Sequence, residues 1–170
     1  LMPVVSLGPA GRALALGLAV ALPASALLAG CGDSEQQRYG DELTAVAEPL
    51  NAALIDLGNA IGIATSRAQI EGALDRTEGA LESAAADLGE LDPPEDASAA
   101  QADLIAAVED FEGEVKTLQR SVRNDGEREF QRALQEFNSE AQAFAVELGD
   151  IRSRLGDAGV TIGETTDTAG

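Results

Sequence analysis

The chain reads as an all-α protein, an antiparallel up-down four-helix bundle. Three observations predict this. Apolar residues recur at steps of three and four in four separate segments. Short breakers, Asp92-Pro93-Pro94 and Asn124-Asp125-Gly126, divide the later segments. No stretch of comparable length alternates apolar and polar residues as a half-buried strand would. Four amphipathic segments with short connections bury their stripes most simply by packing antiparallel. One long hairpin that completes its core with a second copy is the other arrangement, so a homodimer stays open.

The first helix is predicted from Tyr39, Leu43, Val46, Leu50, Leu54, Leu57 and Ile61, which share one stripe. Pro49 lies inside it and removes one backbone donor, which predicts a kink. Gly58 and Gly62, one turn apart, either admit a close neighbour or fray the helix end. Ser66 followed by Gln69 reads as a capping box that opens the second helix. Its stripe is Ile70, Leu74, Thr77, Leu81, Ala84, Leu88 and Leu91, and the two prolines end it.

The third helix is expected from Glu95 or Asp96, carboxylates suited to a helix N-terminus. Ala100, Leu104, Val108, Phe111, Val115, Leu118 and Val122 form its stripe. The fourth is the most regular: Phe130, Leu134, Phe137, Ala141, Phe144, Leu148, Ile151 and Leu155 make a heptad seam. Gly156 or Gly159 ends it, and the residues after it lack periodicity.

Ahead of the bundle, Arg12 precedes an apolar run from Ala13 to Gly30, interrupted by Pro23. Charged start, apolar middle and small-residue exit are the pattern of a secretory signal. Leu28-Ala29-Gly30-Cys31 closes the run, and it resembles the lipobox of bacterial lipoproteins. The resemblance implies diacylglyceryl transfer to the Cys31 thiol, with Leu28, Ala29 and Gly30 as the recognition residues and cleavage after Gly30. The rest of the chain then resembles the uncharacterised lipoproteins with helical ectodomains, on the Leu88–Pro94 junction. That junction is also similar to haem-binding four-helix bundles of the periplasm. The chain departs from those because it has no His, and Met2 is its one Met.

These readings divide the chain into a signal peptide, 1–30; a lipidated cysteine and tether, 31–38; a bundle, 39–158; and a flexible tail, 159–170. The expected location is the extracytoplasmic face of the plasma membrane, or an outer membrane where the envelope has two. The membrane is the expected first partner, through lipid on Cys31.

Composition limits the chemistry. The formal charge is −19, and removal of Arg12 with the leader leaves 10 basic against 30 acidic residues. Such a surface repels nucleic acid. Without His there is no imidazole base and no Cys/His zinc site, and the single Cys is assigned to lipid. No catalytic residues, no cofactor and no metal site are expected, and the chain is not expected to be an enzyme. Asp110 and Glu114, one turn apart, read as a solvated face rather than a calcium site. Glu112 with Lys116 and Asp150 with Arg154 read as i,i+4 surface pairs.

One cluster stands out against the acidity. Lys116, Arg120, Arg123, Arg128 and Arg132 supply half the positive charge after the leader, all within one hairpin. Up-down topology puts this hairpin at the end away from the anchor. Arg120, Arg123 and Arg128 are therefore candidate contacts for an envelope protein or polymer. The alternative is that these cations complement a helix C-terminus and pair with Glu127 and Glu129. The expected function is binding or scaffolding in the cell envelope. A carrier that holds an apolar or lipid ligand inside the bundle is the second reading.

Overall fold

The computed structural model describes residues 33–63 and 66–162; the apolar run, the lipobox and Cys31 lie outside them. Four α-helices fill the described chain: α1 (Asp33–Ile63), α2 (Arg67–Glu90), α3 (Ser98–Asn124) and α4 (Glu127–Asp157). The fold is an all-α four-helix bundle. Among the described residues there is no strand, and no helix is long and apolar enough to cross a membrane.

Helix boundaries follow backbone chemistry. Leu91 leaves α2 in extended conformation and returns its N–H to the Leu88 carbonyl. Pro93 and Pro94 then forbid further helix. A single 3-10 turn, Glu95–Ala97, leads into α3. Ser66 takes the extended N-cap conformation, but its hydroxyl makes no capping bond, so the expected capping box is not formed on its side. Helix α1 continues unbroken through Pro49, which faces solvent. The carbonyl that Pro49 leaves without an amide partner is therefore open to water.

The core is one apolar cluster that unites all four helices. The predicted stripes supply most of it: Leu43, Leu50 and Leu57 from α1, Leu74 and Leu81 from α2, Val108 and Val115 from α3, Ile151 and Leu155 from α4. At its centre Phe111 stacks on Phe144, ring centroids 4.3 Å apart and nearly parallel. Phe137 tilts against the same ring at 5.6 Å. Close backbone approach joins α1 to α2, α2 to α3 and α3 to α4, whereas α1 and α4 stay farther apart. The second and third helices thus bury wider arcs than the outer two. On α3 the arc includes Gln101, Gln119 and Ser121, which apolar spacing does not mark.

Two boundaries differ from expectation. Helix α1 begins at Asp33, so 33–38 is helical rather than a loose tether. Glu35, Gln36, Gln37 and Arg38 are good helix formers, and Arg38 pairs with Glu42 at 3.7 Å. At the other terminus, 159–162 is a structured strap rather than tail. Gly159, at φ +80°, ends α4 with the Val160 N–H donating to the Leu155 carbonyl. Val160 is buried, and the Thr161 carbonyl lies on Gly40, so close that a Cβ there would stand 2.2 Å from the oxygen.

A polar network locks this same end. The Tyr39 hydroxyl donates to Gln101 Oε1 at 2.8 Å. Gln101 Nε2 donates to the Leu88 carbonyl at 2.6 Å and to the Leu91 carbonyl at 3.3 Å. These carbonyls close the end of α2: Leu88, which also accepts the Leu91 N–H, and Leu91, just past the last helical residue. Burial pushes the Tyr39 phenol up to about 12.

Two predictions follow from this end. Tyr39 is the single tyrosine and there is no tryptophan, so absorbance near 295 nm should show ionisation well above the free-phenol range. Because the folded value is raised, stability is intact below the unfolded value near 10 and declines as pH rises towards 12. Tyr39→Phe should abolish that decline and cost about 1–3 kcal/mol at neutral pH by leaving Gln101 Oε1 unpaired. Gly40→Ala should cost about 1–3 kcal/mol in the full chain. In a chain ended at Ala158 it should instead be neutral or stabilise by up to about 1 kcal/mol, as helix propensity dictates; denaturant titration checks both.

Candidate functional site

The acidic face of α2 and the cationic face of α3 meet along the length of their contact. Arg123 bonds Glu71 at 2.5 Å and Asp75 at 2.9 Å. Gln119 Nε2 donates to Asp75 at 3.0 Å and to Glu78 at 2.7 Å. Lys116 pairs with Glu112, as spacing predicts, and lies 3.7 Å from Glu78. The carboxylates hold the Lys116 ammonium and the Arg123 guanidinium above their ordinary ranges, the bonds to Glu112 and Glu71 being the main causes. Arg154 does not turn back to Asp150: it crosses to Asp103 of α3 at 2.5 Å.

Arg67 pins the far end. It donates to the Asp125 carbonyl at 2.7 Å, pairs with Glu127 at 3.0 Å and lies 4.4 Å above the Phe130 ring. Bonds from Gln131, then from Arg67, hold the Glu127 carboxyl below its usual range. Up-down topology places Ser66 and Arg67 beside this hairpin; the structure adds the bonds of Arg67 to Asp125 and Glu127 and its place over Phe130.

The three arginines expected at this tip therefore separate. Arg123 is neutralised against α2. Arg120 donates to the Lys116 carbonyl and, at 3.0 Å, to Thr117 Oγ1, leaving its charge without a carboxylate. Arg128 is exposed in the first turn of α4 and, like Arg132, makes no ion pair among the described residues.

Arg120 and Arg132 face each other across an open groove of about 410 Å³ between the end of α3 and the start of α4. Asn124, Asp125, Glu129 and Glu136 complete the polar rim, and Ala133 lies among them. Ser121 also lines the groove; it is 5% exposed, and its Oγ has no hydrogen-bond partner. An unpaired buried hydroxyl is costly, and this one is sealed inside the fold. Two cations and three carboxylates make the groove mixed in charge, slightly acidic overall, and rich in donors. Asp33 starts α1 at the opposite end of the bundle, and a helix of 31 residues is about 45 Å long.

Among the described residues no three carboxylate, Cys or His side chains are placed to hold a metal ion. The chain matches no protein-family model, no curated protein and no solved structure, so its own residues carry the functional reasoning.

Ser121→Ala should stabilise the isolated protein by about 1 kcal/mol, since it removes an unpaired hydroxyl and adds helix propensity. A rise in the denaturation midpoint at unchanged slope is the expected result.

Proposed function

We propose that the chain is a membrane-anchored extracytoplasmic lipoprotein, and that its bundle is a binding or scaffolding module of the cell envelope. Leu28-Ala29-Gly30-Cys31 supports the anchor, with Cys31 as the lipid carrier. Two acyl chains or more hold such a protein firmly, because each buried methylene contributes about 0.8 kcal/mol. The observation that carries the binding role is the α3–α4 groove, lined by Arg120 and Arg132, neither of which has a carboxylate partner among the described residues.

The charge of the groove favours one class of partner. A simple polyanion would meet Asp125, Glu129 and Glu136 beside the two arginines. A protein segment that presents both signs satisfies the whole rim. On this reading the partner is an envelope protein, and it meets the bundle roughly 45 Å from the lipid. Phe111 and Phe144 stack on each other within the buried core, and this aromatic contact favours scaffold over carrier.

Metabolic labelling with palmitate and cross-linked capture from membranes test the two halves separately. Wild type should incorporate label, and Cys31→Ser should not. Arg120→Gln with Arg132→Gln should reduce partner recovery about tenfold, the scale of one charged hydrogen bond, at unchanged melting temperature. Absence of label in wild type would end the anchor reading, and undiminished recovery would end the groove reading.

A further inference from the structure

A second surface of the bundle differs from the groove in position and in chemistry. Helix α1 holds α2 on one flank, where Thr77 donates to the Ala53 carbonyl at 3.3 Å. Helix α4 holds α3 on one flank, through Arg154 and the groove residues Glu129, Arg132 and Glu136. By helical spacing, the opposite flank of α1 carries Ala47, Asn51, Ile55 and Gly58, and that of α4 carries Asn138 and Ala145. These two flanks border the α1–α4 seam, where the backbones do not approach as closely as in the three consecutive helix pairs. Ile55 is 53% exposed there, and Leu54, Leu134 and Ala141 are half-buried beneath. A Cβ added at Gly58 would meet nothing within 4 Å.

Charge sets this flank apart. From 44 to 62 on α1 and from 131 to 149 on α4, Glu48 is the one charged residue that spacing puts on it. Other faces carry acids that make no ion pair among the described residues, such as Glu109 and Asp110 on α3 and Glu136, Glu140 and Glu147 on α4. We propose that the uncharged α1–α4 flank is a self-association surface, on which a second copy of this chain docks.

Electrostatics selects that occupant. Two copies, each at −19, repel wherever their acidic faces meet. The uncharged flank is where they can meet without opposing carboxylates. A basic partner would be drawn to the acidic faces instead. The available area also bounds the strength of the contact. Nineteen residues of helix are about 28 Å long, and two helices side by side are about 20 Å wide, so each copy covers about 600 Å². That is below the roughly 800 Å² per partner of a standard stable interface, so the dimer is weak and reversible. A two-fold contact is self-complementary, and Ile55, near the middle of the flank, lies near its own copy. The proposal is independent of lipid anchoring and of the α3–α4 groove.

Thiol cross-linking in cells that express the full chain tests it. Cys31→Ser leaves no native thiol, so an introduced cysteine is the only one. Ile55→Cys should oxidise to a disulfide-linked dimer, whereas Glu82→Cys on α2 should not. Adding Gly58→Arg should reduce the Ile55→Cys dimer about tenfold, because a long charged side chain then occupies open space on the flank without disturbing the fold. The proposal is overturned if Ile55→Cys gives no more dimer than Glu82→Cys, or if Gly58→Arg leaves the yield unchanged. A mixed disulfide with a different protein in place of the dimer would likewise overturn it and assign the flank to that protein.

Discussion

The hydrogen bond from Tyr39 to Gln101 is the constraint around which the bundle is assembled. Helix ends leave carbonyls without amide partners, and burying them unsatisfied is costly. Here Gln101 satisfies the end of α2 through Leu88 and Leu91 and is itself held by a phenol from α1. One side-chain pair thus joins α1, α3 and the α2–α3 corner. Arg67 does the equivalent at the far end, where it joins the start of α2 to the α3–α4 turn and to Phe130. Between these two polar locks the packing is aliphatic and aromatic and needs no direction.

The unequal spacing of the helices has consequences on both sides of the molecule. Because α2 and α3 each have two close neighbours, their buried arcs widen until they include Ala73 on α2 and Gln119 and Ser121 on α3. Thr77 and Gln119 find partners across α1 and α2. Ser121 does not, and it lines the α3–α4 groove instead. The backbones of α1 and α4 stay farther apart, and the flank they share carries almost no charge. The strap 159–162, folded over Gly40, closes only the end of that seam.

The acidity of the chain is organised rather than uniform. The carboxylates of α2 neutralise Lys116 and Arg123 of α3, which fixes the register of the two central helices through partly exposed bonds of modest strength. Cations beyond that ladder, at Arg120, Arg128 and Arg132, remain without a carboxylate partner in the described chain. The basic cluster legible in the sequence therefore contains two populations, one structural and one available for contact.

The sequence by itself determined that four helices form, which residues face inward and where the breaks fall. Leu43, Leu74, Val115 and Ile151 were legible because helical periodicity exposes one apolar face, and Pro93-Pro94 because proline cannot extend a helix. The arginine cluster of the candidate site was legible as composition. Tertiary structure alone decided which arginine is neutralised, that Ser121 is buried without a partner, that 33–38 joins α1, and that 159–162 returns to Gly40. Periodicity describes one helix and its inward face. The fate of a polar residue at the edge of that face depends on which neighbour comes close, and that distance is set by the packing of all four helices together.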